Sequence, residues 1–455
     1  MFTGVIYMNF TEFKEIVIAK AQSMGLTDYE LYYTSAESTS ISAFQHSLNQ
    51  FTSSTEGGVC FRCIVGGKMG YASTEELSET QACSIVERAA ENAAVLEAEE
   101  QVFLGEGGKT YREIDRKAYD LPTTEALIAK VLDTQERIYA ANPAVIDGSS
   151  TQGISERSIT AIVNSKGLDL RSEVALSGLV VAAVVTNGQE MANDYQIKLG
   201  QLDEIDTDEL TKKAAETALR KLGGAVAPTG QYSVVFDPDA MASLLSTFSS
   251  VFSAESAQKG LSKLAGREGQ VIAAPCVTLV DDPFHAQSPI PMSFDAEGSP
   301  TSTKAIIDRG VLTTLLHNLK TAAVAGVETT GNASKAGYDA PVGIRPFTMY
   351  IAPGTISEEE LLQKVGNGVY INSLGGLHAG ANAITGDFSL QSAGFMIENG
   401  VKTTTVKSFT VAGNFYDLLK NITLTASNMT LPTAMGKTNF GSPTVLVEGL
   451  SIAGK

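Results

Sequence analysis

Ser155-Glu-Arg-Ser-Ile-Thr-Ala-Ile-Val-Asn-Ser165-Lys-Gly167-Leu-Asp-Leu-Arg-Ser-Glu-Val174 lies in a run from Ala144 to Asn187 that alternates like long antiparallel strands. Ser165-Lys166-Gly167 is its turn, and the most apolar window of the chain, Leu176 to Val185, fits a strand within it. Working upstream, Tyr29 to Ala36, Thr39 to Thr52 and Gly58 to Val65 are strand-like. Gly66-Gly67-Lys68 makes a hairpin turn into Met69 to Ser73. Helices are expected from Asn9 to Met24, closed by Gly25, from Glu75 to about Leu96, capped by Thr74, and over Thr123 to Ala140 and Thr207 to Leu222. Downstream, Gly223-Gly224 through Pro228-Thr229-Gly230 reads as a linker. A strand, Tyr232 to Phe236, leads into Asp237-Pro238 as the cap and first turn of a further helix. The remainder is strand- and glycine-rich, with one helix near Ser357 to Val365. The pattern predicts an α+β fold: an N-terminal α+β domain over residues 1–228 and a mainly antiparallel, β-rich domain over 229–455.

Composition narrows the function classes. A chain of 455 residues with 43% hydrophobic and 18% charged residues can bury large cores. A net charge of −18, with no basic run longer than a pair, opposes binding to nucleic-acid backbones. No stretch approaches the roughly 18 apolar residues of a membrane span, and Met1 to Phe10 does not resemble a signal peptide. Four cysteines in this length suggest a reducing compartment, so a cytoplasmic location is expected.

Met241, Leu244, Leu245, Phe248, Val251 and Phe252 recur at helical spacing. Glu255 follows Val251 by four residues, and Lys259 follows Glu255 by four. On one continuous helix this puts a carboxylate on the inward stripe, where it costs several kcal/mol unless paired or used. Glu255 and Lys259 are therefore expected to form an inward-facing ion pair.

Other motifs point to packing. Cys60-x-x-Cys63 lies in an expected strand, where an offset of three sends the two thiols to opposite faces. With no second pair, small buried hydrophobes is the better reading. Neither Gly67-Lys68-Met69 nor Gly436-Lys437-Thr438, with Leu431 where a glycine is required, cradles phosphates. Ser256-x-x-Lys259 matches an acyl-serine pattern that is common by chance. The histidines His46, His285, His317 and His378 show no metal-ligand spacing; His317 falls on an expected strand as a structural residue, and His378 could line a cleft.

The C-terminal half carries a longer signature. Tyr370-Ile-Asn-Ser-Leu-Gly-Gly-Leu-His378 is followed by Ala383-Ile-Thr-Gly-Asp-Phe-Ser-Leu-Gln-Ser-Ala-Gly-Phe-Met-Ile-Glu-Asn-Gly400, then by Val411-Ala-Gly-Asn-Phe415 and Gly441-Ser-Pro-Thr-Val-Leu-Val447. This series resembles the TldD/PmbA family, the modulators of DNA gyrase, and within it the PmbA (TldE) branch. The hairpin from Arg62 to Ser73 and the stretch from Phe252 to Gly266 resemble that branch too.

The resemblance implies a peptidase system. In that family a TldD-type subunit carries H-E-x-x-x-H, whose histidines hold zinc while the Glu activates water, and a cysteine near the C-terminus completes the site. A PmbA-type subunit pairs with it to enclose a chamber for unfolded peptides. Carried across, Ala254 stands at the first histidine, Glu255 at the catalytic Glu, Lys259 at the second histidine and Met435 at the cysteine. Three ligand positions are thus lost, and a catalytic zinc needs three protein ligands.

The expectation is a subunit without its own metal site or cofactor. Its zinc-bearing TldD-like partner supplies the chemistry, its substrate is an unfolded peptide, and it forms a homodimer in isolation. His378, Asn382 and Asp387 are candidate peptide-cleft residues. The alternatives are a non-hydrolytic peptide-binding module or adaptor, and an independent hydrolase using Glu255, Lys259 or Ser256.

Overall fold

A computed structural model describes residues 8–97, 101–114, 120–288, 290–432 and 438–454. It is α+β. The first sheet has six strands: β1 (Tyr29–Phe44), β2 (Ser47–Val65), β3 (Lys68–Thr74), β4 (Ser150–Asn164), β5 (Asp169–Thr186) and β6 (Met191–Leu199). Their spatial order is β3-β2-β1-β4-β5-β6, antiparallel throughout.

Four helices cover one face of this sheet. They are α1 (Phe10–Ser23), α2 (Glu79–Val95), α3 (Thr124–Ala141) and α4 (Thr207–Leu219). Phe13 and Val17 of α1 and Ile85 and Val86 of α2 pack on Leu31, Val59 and Phe61, while Leu127 and Val131 of α3 pack with Ile41, Leu179 and Val181. The odd residues of β1 therefore face the helices. The even ones, from Tyr32 onward, face the C-terminal half.

Two corrections concern this region. The expected strand Thr39 to Thr52 contains a hairpin turn at Gln45-His46, where both residues have positive φ, 48° and 63°. Such turns usually carry Gly, Asn or Asp. Here tertiary contacts hold the turn: His46 stacks on Tyr139 of α3 with ring centroids 4.3 Å apart, and its Nδ1 lies 2.9 Å from a Glu136 carboxylate oxygen. Second, α2 starts at Glu79 rather than Glu75, because the Thr74 hydroxyl accepts from Glu76 N in a local turn while Ser78 caps the helix. The helix α1 forms where the sequence places it, with Asn9 as its cap rather than its first residue, and the Gly66-Gly67 turn is as expected.

Besides a two-stranded ribbon, the C-terminal half holds a seven-stranded and a five-stranded sheet. One is ordered Ile422–Thr425, Val445–Ala453, Gly230–Phe236, Gly368–Gly375, Asp387–Glu398, Val401–Asn414 and Ala225–Val226. Thr410 to Ala412 also pair with Ser451 to Ala453, which closes five of these strands into a barrel. Most pairs are antiparallel, but Gly368–Gly375 runs parallel to Gly230–Phe236 and Ala225–Val226 parallel to Val401–Asn414. The second sheet has five strands, with Leu279–Asp281 at its centre, Lys304–Asp308 and Val311–Leu312 on one side and Thr348–Ile351 and Asn439–Gly441 on the other.

The expected linker is tied down. Ala225–Val226 joins the barrel sheet, and Glu190 accepts from both Gly223 N and Lys407 Nζ. The helix α5 (Pro238–Phe248) lies against both sheets, and its Phe248 stacks on Phe415 at 4.6 Å. Among the described residues no helix is long and apolar enough to cross a membrane.

Candidate functional site

Asp237 caps α5 by accepting from Ala240 N at 2.7 Å, with Pro238 in the first turn, as the sequence indicates. The helix does not run on to Lys259. It tightens into a 3-10 turn over Ser249–Phe252 and breaks at Ser253, whose backbone is extended. The chain there is held by another segment: Ala254 N donates to Leu316 O at 2.9 Å, and Leu316 N to Phe252 O at 2.8 Å. Ser253 then caps a short helix, α6 (Ala254–Gln258), and Gly260 ends it at φ 70°.

This break overturns one expectation. Glu255 does not continue the apolar stripe of α5; the reset phase turns Ala254 and Ala257 inward instead. The Glu255–Lys259 pair forms, with Nζ 2.6 Å from Oε1, but it faces solvent, the two side chains retaining 37% and 62% of their exposure. Ala254 presents a methyl group to the core. Among the described residues no three His, Cys, Asp or Glu side chains converge as a metal would require. The α6 positions thus do not fit a metal ion: one has no donor atom, and another is a cation already against the carboxylate. Met435 lies outside the described residues.

His378, Asn382 and Asp387 are all exposed. Asn382 builds its own loop, its Oδ1 accepting from Ile384 N and Thr385 N while its backbone N donates to Asp387 O. Asp387 accepts from Asn414 Nδ2 at 2.8 Å, which with Thr385 holds its carboxyl below the usual range. Lys263, just after α6, donates to Thr385 O at 2.7 Å, so this loop and the α6 segment are joined. His378 stands on a separate helical turn, Leu377–Gly380. His317 is buried, and it lies between the Leu316 bridge and α7 (Leu319–Ala325) rather than on the expected strand.

A buried polar cluster that no sequence motif announces lies between the sheet and the C-terminal half. Glu30 and Arg62 are cross-strand neighbours on β1 and β2, both buried, with Nε donating to Oε1 at 2.8 Å. Asn164 donates to the other Glu30 oxygen and to Gly105 O. The field of Glu297, from the C-terminal half, acts on the same guanidinium. Glu297 accepts from Leu319 N at 2.8 Å, and Asp295 accepts from the backbone N–H groups of Glu297, Ser299 and Ala333. Burial raises both of these acids above the usual carboxylate range. A charged residue within each of the apolar runs Tyr29–Tyr32 and Phe61–Cys63 was the available signal. Cys60 and Cys63 are free, buried and on opposite faces, as the spacing implies.

Beside this cluster a cleft of about 880 Å³ opens between the even face of the sheet and the segment Lys335–Asp339. Lys335 Nζ lies 4.4 Å above the Tyr32 ring and donates to Tyr338 O, and burial lowers its pKa. Tyr338 lies against Gly58, where a Cβ would come within 2.7 Å of its ring, and donates to Glu75.

Three family models match in chain order. The PmbA/TldA metallopeptidase domain 1 matches residues 29–93, the central domain 118–222 and the C-terminal domain 229–454. The chain belongs to the PmbA/TldD family. A structure from Thermotoga maritima described as a modulator of a DNA gyrase is 31% identical, with 98% of this chain and 100% of that one covered and a TM-score of 0.87. A metalloprotease of Methanothermobacter thermautotrophicus is 28% identical over 82% of each chain, and the metalloprotease PmbA homolog of Haemophilus influenzae is 23% identical over 93% of this chain and 92% of that one. TldE from Thermococcus kodakarensis shares the fold at a TM-score of 0.86 and 22% identity, covering 97% of this chain and 99% of that one. In this PmbA/TldD member the strands of the first two matched regions form a single sheet.

Proposed function

We propose that this chain is the PmbA/TldE-like, non-metal-binding subunit of a two-chain zinc peptidase acting on unfolded peptides. A TldD-like partner holds the zinc and the water-activating Glu; this chain supplies a wall of the chamber and handles substrate. The observation that carries the reading is α6, where the positions matching the two histidines are a buried methyl group and an ammonium tied to Glu255 at 2.6 Å. A Lys ammonium repels a divalent cation, and zinc takes N, S or O donors that these positions lack. The likeness to chains named metalloprotease supports the peptidase setting.

In isolation the chain is a homodimer, since homologous subunits can build a pseudo-symmetric pair from the surface that builds an isologous one. Its free cysteines accord with the cytoplasm. The test is reconstitution. The chain alone should leave unfolded peptides uncut and hold no stoichiometric zinc by elemental analysis. A TldD-like partner should bring chelator-sensitive cleavage that survives Glu255→Gln here. Chelator-insensitive cleavage by this chain alone, abolished by Glu255→Gln, would overturn the assignment.

A further inference from the structure

The cleft over the even face of the N-terminal sheet is electrically one-sided. Glu56, Glu75, Glu156 and Asp339 line it, against a single cation, Lys335. That ammonium is engaged with Tyr32 and Tyr338 O. Glu75 accepts from the Tyr338 hydroxyl. No ion pair engages Glu56, Glu156 or Asp339 among the described residues. Carboxylates gathered over low-dielectric walls focus a negative potential into the space between them.

The walls say what kind of cation would enter. Leu77, Ile154, Leu176, Leu199 and Ile290 give the cleft an apolar surface, and its volume is that of a site for a chain segment rather than a single ion. Leu176 and Leu199 also line an adjoining hollow of about 340 Å³ walled by Ser288, Pro432 and Asn439, so the groove runs on; Lys198 is the cation of that second hollow. The floor strands β1 and β4 are interior to the sheet, with neighbours on both sides. Their backbone groups are spent on the ladder, so an occupant cannot be held by strand addition and must be recognised through side chains. Long stems crossing apolar surface to reach rim carboxylates are what Lys and Arg side chains provide.

We infer that this cleft binds an extended segment of unfolded peptide through its lysine and arginine side chains, making basic stretches the preferred substrate of the complex. The inference rests on the peptide-handling role proposed above. Attraction to several unpaired carboxylates at once tolerates different sequences, as suits a chain that meets many unfolded peptides. It is sensitive to salt, because Glu56, Glu75 and Asp339 are exposed and Glu156 is only half-buried.

Fluorescence anisotropy on the full chain without a partner tests this. Flexible Gly/Ser peptides carrying lysines, glutamates or neither are compared at low and high salt. The lysine peptide should bind, weaken steeply with salt, and lose roughly tenfold in affinity in the double variant Glu56→Gln/Glu156→Gln. The remote double variant Glu15→Gln/Glu91→Gln carries the same charge change and should bind as the parent does. Equal binding of the neutral or acidic peptide, no binding of any peptide, or equal weakening by both double variants would overturn the inference. Spermine binding as tightly as the peptide would also overturn it, in favour of a small polycation. Because binding is read without cleavage, the two proposals separate. Reconstituted cleavage that ignores Glu56 and Glu156 sinks this one alone; basic-peptide binding with no cleavage on adding a partner sinks the other.

Discussion

Two ion pairs, Glu255–Lys259 and Glu30–Arg62, have nearly the same contact distance, 2.6 Å, and opposite physical meaning. The first is four residues long in sequence and sits in solvent, where screening and side-chain entropy leave little net energy. The second spans 32 residues and joins two strands in a dry interior, where each charge depends on the other. The pair that the motif makes conspicuous does little for the fold. The pair that ties β1 to β2 inside the molecule has no motif. Chemical significance and structural weight are carried by different parts of this molecule.

Breaking the buried pair should have the largest effect. Arg62→Met leaves Glu30 charged and buried and should cost about 3–5 kcal/mol in denaturant unfolding. Adding Glu30→Met should recover most of that loss, since no charge is then stranded. A cost below about 1 kcal/mol for Arg62→Met alone would erase the contrast with the exposed pair.

A pH series sharpens the same side of the comparison. Burial pushes Glu297 up to about 7 from 4.5. An acid whose pKa is raised by folding stabilises the fold fully below its unfolded value. That contribution is lost as pH rises through the folded value. Glu297→Gln removes this titration, so thermal melts should show the variant gaining on the parent between pH 4.5 and 7, the difference then levelling. Parallel curves over that range would show that Glu297 does not titrate there.

The exposed pair should respond least. Lys259→Met should change stability by no more than about 1 kcal/mol, and by less at high salt. A loss as large as that of Arg62→Met would mean that Glu255 is buried in solution.

Legibility followed the range of the controlling interaction. The turn at Gly66-Gly67, the first helix expected over Asn9 to Met24 and the Asp237-Pro238 helix start are set by residues within four positions, and the sequence places them to within a residue. The turn at Gln45-His46 was hidden because α3 holds it from outside. The break at Ser253 was hidden because Leu316, far along the chain, supplies the competing hydrogen bonds. That break decides whether Glu255 faces core or water, so a correct motif was read with the wrong exposure. Barrel closure and the cleft both depend on register between distant strands, about which periodicity says nothing.

The barrel also sets an order of events during synthesis. Gly230–Phe236 pairs with Val445–Ala453, and Ser233 reaches Glu448, 215 residues onward. The N-terminal sheet has all its strands by residue 199 and can settle while the ribosome is still working. The barrel cannot seal until its last strand emerges. Throughout that interval Phe248, Phe252 and Phe415 lack their full cover. The nascent chain is therefore a half-finished client whose aggregation risk is concentrated in its second half, and slowing translation before Val445 should lengthen its dependence on chaperones.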